Sequence, residues 1–254
     1  GLAQKKNFAP RFGFAYQFTP KFVLRGGYGI YYGGFENRGG YPSLGYNYPF
    51  QFAFGFFNPN SREPITYANG QRGTLSRGFL DIPLDPALVD AHGLQLRGIE
   101  FKYNTPYFQG YNLTVQYEVS ANDSFEIGYV ASLGRHIETF PGLNNVTTLL
   151  PPSENPQNYI PFPEFGRGSP YATTNANSYY HSMQAKWTRR MAKGLDFLGA
   201  FTWAKARTNA HDLLSGGGEG GFRAPDIPGF GIQGDYGLAP FDVRRAFVYS
   251  GTYQ

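Results

Sequence analysis

The sequence contains no cysteine, which removes disulfide frameworks and thiolate chemistry from consideration. Tryptophan and methionine occur only twice each. Charged residues make up 16% of the chain, well below the roughly 25% of an ordinary soluble domain. Mean hydropathy is −0.41, and no run approaches the ~18 consecutive apolar residues of a membrane helix. A helical membrane protein is therefore excluded. A membrane β-barrel is not, because only one face of each strand meets lipid and the signal averages out along the chain. The opening residues, Gly1-Leu2-Ala3-Gln4-Lys5-Lys6, include no apolar core of a secretory leader. An outer-membrane protein needs one, so the expectation is a processed or internal segment.

In place of these the chain has 20 Tyr, 24 Phe, 34 Gly and 19 Pro in 254 residues. Gly and Pro disfavour long helices, and aromatic side chains favour strands. The formal net charge is +4, but the basic residues are scattered. The adjacent pairs are Lys5-Lys6, Arg189-Arg190 and Arg244-Arg245. Nucleic-acid binding wants Lys and Arg gathered on one element, so none is expected.

Period-two alternation recurs along the chain. Phe12, Phe14, Tyr16 and Phe18 alternate with Arg11, Gly13, Ala15 and Gln17, and Thr19-Pro20-Lys21 then turns the chain. Phe22, Leu24, Tyr28, Ile30 and Tyr32 share the next apolar face, opposite Arg25, Gly27 and Gly29. Two further hairpins repeat the pattern. The spacing predicts seven strands, at about 11–18, 22–32, 108–119, 124–133, 180–190, 195–205 and 242–254. Long connections are expected at about 33–106, 134–178 and 207–240, whereas the other turns are a few residues each. The last strand is still running at Gln254.

Short turns at one end and long loops at the other are the arrangement of outer-membrane barrels, whose turns are periplasmic and whose loops are extracellular. Strands of about nine to twelve residues suit a tilted bilayer crossing. Aromatic girdles are expected at both interfaces. Phe18, Phe22, Tyr117 and Trp187 fall near the short turns; Tyr28, Tyr32, Tyr111 and Trp203 fall nearer the loops. A soluble β-sandwich also alternates, but it does not readily explain three long loops at one end. The fold class predicted is all-β, a section of a large antiparallel transmembrane barrel.

The wording of the strands carries a resemblance. Asn7-Phe8-Ala9-Pro10-Arg11-Phe12-Gly13-Phe14-Ala15, followed by Leu24-Arg25-Gly26-Gly27-Tyr28-Gly29-Ile30-Tyr31-Tyr32, resembles the barrel of Oar-like TonB-dependent receptors. So do Tyr111-Asn112-Leu113-Thr114-Val115-Gln116, Glu126-Ile127-Gly128-Tyr129-Val130-Ala131-Ser132-Leu133-Gly134 and Ser178-Tyr179-Tyr180-His181-Ser182-Met183-Gln184. Phe201-Thr202-Trp203-Ala204-Lys205 and Phe241-Asp242-Val243-Arg244-Arg245-Ala246-Phe247 continue the series in family order. The resemblance implies the bacterial outer membrane and a barrel of the 22-stranded, plugged type. It implies as partners outer-membrane lipid, the rest of the barrel with its plug, the TonB system through a more N-terminal part, and an unidentified large solute. No plug and no TonB-contact segment is found in these residues, so the chain is expected to be an internal piece of such a barrel.

No enzyme is expected, and no cofactor. Gly216 to Gly221 matches G-x-G-x-x-G, but no strand precedes it and no helix follows, so a flexible loop is the reading. His92, His136, His181 and His211 show no metal-ligand spacing. Strand parity puts Arg25, Asn112, Gln116, Glu118, Glu126, Gln184 and Lys186 on a polar face that would line the lumen. Asp242 and Arg244 share a strand face and are expected to pair with a neighbouring strand or each other, fixing the loop exit. The loop aromatics Tyr41, Tyr46, Tyr48, Phe50 and Phe52 are candidate ligand contacts. Three functions fit: uptake through a plugged TonB-linked barrel, adhesion or secretion by a barrel without import, and a soluble carbohydrate-binding β-domain.

Overall fold

The computed structural model describes residues 4–33, 44–45, 47–51, 73, 76, 94, 96–139, 141–168, 171–210, 234 and 236–254. Among them the long strands are β1 (Arg11–Thr19), β2 (Phe22–Tyr32), β4 (Tyr107–Glu118), β5 (Asp123–Thr139), β6 (Tyr171–Ala192), β7 (Leu195–Thr208) and β9 (Arg245–Tyr253). Two short ones are β3 (Gly98–Ile99) and β8 (Gly237–Leu238). The long strands form one antiparallel sheet in the order β1-β2-β4-β5-β6-β7, with β8 and β9 both paired to β7. The sheet does not close on itself; β1 and β9 are its edges.

The register follows from the aromatic pattern. Side chains directly opposite each other across a ladder share a face. Leu24 faces Val115, which faces Ile127, Ala185, Phe201 and Phe247 in turn across the sheet. Phe22, Tyr117, Phe125 and Trp187 form a parallel row near the short turns. A slip of one residue anywhere would turn that strand's aromatic set to the polar face. The aromatic face is open to the surroundings, with Phe12 65%, Trp187 49%, Trp203 49% and Phe247 70% exposed. In water such a face would be a large uncovered apolar surface. The 12 residues of β4 extend about 40 Å at ~3.4 Å each. A barrel tilt of about 45° reduces that to about 29 Å, the thickness of a hydrocarbon core.

The short turns are built by local chemistry. Lys193 and Gly194 both have positive φ, 51° and 78°, the signature of a two-residue type I′ hairpin turn. Ser120 anchors the β4–β5 turn: its hydroxyl donates to Asp123 Oδ2 at 2.7 Å and accepts from the Asp123 amide at 3.1 Å.

At the other end the strands differ from their sequence expectation. β5 runs to Thr139 rather than about 133, and β6 begins at Tyr171 rather than about 180. Both extensions pass through irregular register between Gly134 and Thr139, which resets the side-chain parity and hides the period. The connection 134–178 is therefore partly strand. Its described remainder includes the 3-10 turn Pro156–Tyr159, begun by Asn155, whose side chain accepts from the Gln157 amide at 3.1 Å. β9 starts at Arg245, not near 242, because Asp242 to Arg244 are occupied by the junction described below.

The turn geometry makes a first prediction for the full-length protein. Gly194→Ala puts a methyl group into a left-handed conformation, 2.3 Å from the Gln254 carbonyl oxygen, and should cost at least ~1–2 kcal/mol. Lys193→Asn, a favoured type I′ residue, should be neutral or stabilising. Heat-dependent gel mobility of the assembled barrel measures both.

Candidate functional site

The polar face is the first feature. Arg25, Asn112, Gln116, Glu118, Glu126, Gln184 and Lys186 all lie opposite the aromatic face by register. Three of them come together. Gln116, Glu126 and Lys186 are successive partners across β4, β5 and β6. Lys186 Nζ lies 3.0 Å from Glu126 Oε1, both side chains being partly solvated. Beside them Gln116 Oε1 is buried without a hydrogen-bond partner. Gln184 is one row away and donates to Ser182 Oγ at 3.3 Å, and Ser182 donates to the Val130 carbonyl at 3.2 Å. Arg25 faces Thr114 and joins no cluster. Glu118 stands apart at the short-turn end, where its amide bonds to the Lys21 carbonyl at 2.8 Å.

Nearer the loops this face opens into a shallow trough of about 530 Å³, bordered by Arg11, Gly27, Tyr31, Asn112 and Ser132. Tyr31 lies flat where a Cβ on Gly29 would sit, 2.8–3.0 Å from that position. The Arg11 guanidinium stacks on the Tyr31 ring at 4.5 Å, a cation–π contact. Of the sequence candidates only Asn112 borders this trough; Arg11 fits the strand alternation and so carried no signal, and Tyr31, a ring on the polar face, breaks it.

The second feature is the junction at Asp242. Ala206 on β7 passes its carbonyl to the Ala239 amide at 3.0 Å, and its own amide donates to Asp242 Oδ1 at 2.6 Å. The turn from Ala239 to Asp242 is closed by the Asp242 amide on the Ala239 carbonyl at 3.0 Å. The Asp242 carboxylate thus replaces a missing ladder carbonyl between β8 and β9. Arg244 contributes its backbone, accepting from the Ala204 amide at 3.0 Å. No ion pair joins Arg244 to Asp242 among the described residues.

The third feature stands at the long-loop end. Glu138 is 6% exposed and accepts from the Tyr103 hydroxyl at 3.2 Å. Glu100 accepts from the Thr174 amide and hydroxyl, and Thr174 Oγ1 accepts from the Asn104 amide at 3.0 Å. β3 pairs in parallel with the start of β6 next to them. Segment 98–104 is thereby fastened to the extended β5–β6 hairpin, beyond the membrane-spanning rows. Burial pushes the Glu138 carboxyl up to about 7, against a smaller lowering by the Tyr103 hydrogen bond. The Tyr103 hydroxyl is raised as well, by burial and then by Glu138 and Glu100. A fully buried Asn144 holds the next segment, donating to the Phe162 and Gly166 carbonyls at 2.8 and 3.1 Å and accepting from the Phe162 amide at 2.9 Å. None of these residues was a sequence candidate, since their partners lie tens of residues away.

Of the loop aromatics, Tyr48 and Phe50 are described; Tyr41, Tyr46 and Phe52 lie outside the described residues, as does the Gly216–Gly221 run. Phe50 is 90% exposed. Asn47 pins their turn, exchanging hydrogen bonds with the Arg97 backbone at 2.8 and 2.9 Å. His136 and His181 serve local contacts, with the Thr174 carbonyl at 3.3 Å and the Tyr129 hydroxyl at 2.5 Å.

An antiparallel sheet with one exposed aromatic face, one polar face and its long connections at one end is the wall of an outer-membrane barrel. The match to the outer membrane beta barrel domain family extends over residues 2–254, and the chain belongs to that family. Its place is the bacterial outer membrane, and the soluble carbohydrate-binding alternative falls with that membership. Similar solved structures include the FrpB iron transporter from Neisseria meningitidis (F3-3 variant), at 11% identity and a TM-score of 0.39, with 80% of this chain and 19% of that one covered. Another is the outer membrane transporter YddB from Escherichia coli, at 12% identity and a TM-score of 0.40, with 75% and 18% covered. The chain spans about a fifth of the length of these structures. Comparison with curated proteins gives no match.

Two predictions concern the Asp242 junction and the cap that segment 98–104 forms with the extended β5–β6 hairpin. Asp242→Ala leaves the Ala206 amide without its acceptor and should cost about 1–3 kcal/mol, whereas Asp242→Asn keeps a carbonyl oxygen and should cost less; heat-modifiability of the full-length barrel separates them. For Glu138 the folded pKa is raised from 4.5 to about 7. Its contribution to cap stability is then fully present below about pH 4.5 and is lost as pH rises through about 7. Hydrogen exchange of segments 98–104 and 134–139 should speed up across that window in the wild type, and Glu138→Gln should flatten the profile.

Proposed function

We propose that this chain forms wall and extracellular cap of a TonB-dependent outer-membrane receptor of the Oar-like kind, taking up a large solute through a plugged lumen. The observation that carries the reading is the separation of an aromatic from a polar face through the middle rows of seven long strands. With the aromatic face in lipid, the face bearing Arg25, Asn112, Gln116, Glu126, Gln184 and Lys186 lines the interior, where a plug or solute would meet it. The orphaned Gln116 oxygen and the trough beside Arg11 and Tyr31 are the places on that wall able to take a donor or a planar group. Tyr48 and Phe50 would belong to the solute-capturing loops. In this reading the protein holds and passes its cargo.

The test uses the intact gene in its own host. Medium components consumed by wild-type cells are compared with those consumed by a deletion strain and by a strain lacking TonB coupling. The expected result is one class of large solute left untouched by both mutants. Equal consumption by all three, with surface attachment lost in the deletion strain, would replace uptake by adhesion.

A further inference from the structure

The charged residues of the aromatic face are distributed unevenly. At the short-turn end this face carries one acid and one base, and they neutralise each other: Arg189 Nη1 binds Asp123 at 3.1 Å. At the long-loop end it carries Arg135, His181, Lys205, Arg207 and Arg245; the acid beside them is Asp242, whose carboxylate is engaged at 2.6 Å by the Ala206 amide between Lys205 and Arg207. Register places them together. His181 is paired with Lys205, Tyr179 with Arg207 and Trp203 with Arg245. Arg135 reaches diagonally across, its guanidinium 4.4 Å above the Tyr179 ring. At a strand spacing of about 4.8 Å and ~3.4 Å per residue, β6, β7 and β9 gather His181, Lys205, Arg207 and Arg245 within about 15 Å, and Arg135 on β5 stands about 25 Å from Arg245. Lys205, Arg207 and Arg245 are exposed.

Directly beneath, toward the bilayer centre, the same strands present Met183, Trp203, Phe201 and Phe247, all exposed. A cationic rim over an apolar bed matches an amphiphile with an anionic head. Four cations of the loop end, Arg135, Lys205, Arg207 and Arg245, share this face, whereas Arg11 lies on the polar one. Here they look outward, into the headgroup layer of the outer leaflet, where long Lys and Arg side chains reach phosphate while their stems stay in apolar surroundings. Arg in particular offers a planar fork to phosphate oxygens.

We infer that the outward face of β5, β6, β7 and β9 at the loop end is a binding site for the phosphorylated headgroup of an outer-leaflet glycolipid, its acyl chains lying on Met183, Phe201 and Trp203. The site depends on the membrane location alone and stands whether or not the barrel imports a solute. It also bears on the cap. Arg135, paired with Tyr107, stands at the start of the irregular stretch that carries Glu138, so a headgroup on Arg135 would brace the base of the β5–β6 extension.

The experiment uses the full-length protein extracted in mild detergent. Lipopolysaccharide retained through purification is measured by mass spectrometry, and rebinding is measured with the purified glycolipid, the same glycolipid stripped of phosphate, and inorganic phosphate. The wild type should retain the glycolipid, bind it less as salt rises, and bind the dephosphorylated form at least tenfold more weakly. The triple variant Lys205→Gln, Arg207→Gln, Arg245→Gln should lose at least tenfold, while Lys205→Arg, Arg207→Lys, Arg245→Lys stays within a few fold. If the neutral triple variant does not assemble, Arg207→Gln alone should still lower binding and reduce its salt dependence. Undiminished binding by the neutral variants, or equal binding of the dephosphorylated glycolipid, overturns the assignment. So does displacement by inorganic phosphate alone, which would make this a free-anion site.

Discussion

Every backbone amide and carbonyl of a strand in hydrocarbon must find a partner in another strand, because no water is there to supply one. The rest of this structure depends on that requirement. It forces the continuous ladder from β1 to β7 and on to β9, and the ladder in turn fixes which side chains share a face. Once Phe22 is opposite Tyr117 and Phe125 opposite Trp187, every other residue's side is set by parity. The two-faced wall is a consequence of backbone satisfaction combined with a period-two sequence.

The same requirement explains the least regular part of the sheet. Between β8 and β9 the chain leaves the ladder of β7 to make the turn from Ala239 to Asp242. A departure of this kind would orphan the Ala206 amide. The Asp242 carboxylate meets it at 2.6 Å and the Arg244 carbonyl takes the amide of Ala204. A charged acceptor makes a stronger bond than the neutral carbonyl it replaces. Asp242 and Arg244, expected to pair with a neighbouring strand or each other, both meet backbone groups of β7 and not each other's charges. Sequence parity could relate the two residues to one face; it could not show that the chain steps out of register between them.

Legibility in the sequence follows burial. Within the bilayer rows one face is aromatic and the other is Gly, Ser, Thr, Asn and Gln, so alternation alone locates β1, β2, β4 and β7 to within a few residues. Above those rows the rule fails. Thr173, Thr174, Asn175, Ala176 and Asn177 have no apolar alternation, yet Thr174 and Ala176 are buried and the run is strand. What orders it is a set of hydrogen bonds across long separations, Glu100 to Thr174, Tyr103 to Glu138, Asn177 to Asn209. Polar residues in such a run look like loop, because the partners that make them structural are invisible locally. The polar-face candidates Glu126 and Lys186 were found by parity and do meet, while the groups around Glu138 had no signal of their own.

A cap held by buried polar groups is the physical counterpart of a wall held by lipid. In the membrane, apolar side chains gain nothing by turning inward, since lipid is as apolar as a protein core; they are free to face out. Beyond the membrane that freedom ends, and a small extension of two strands has too little apolar surface to bury. Asn144, Glu138, Thr139 and Asn209 take the place of a hydrophobic core. Such a network is stable only while each member is satisfied, so its weakest member governs when it opens. Glu138 is that member, because burial opposes its ionisation while Tyr103 supplies only one bond to it. In the cap it is Glu138 through which acidity acts. A rise in pH through about 7 would therefore loosen the segment at 98–104 that Tyr103 and Asn104 fasten to β5 and β6.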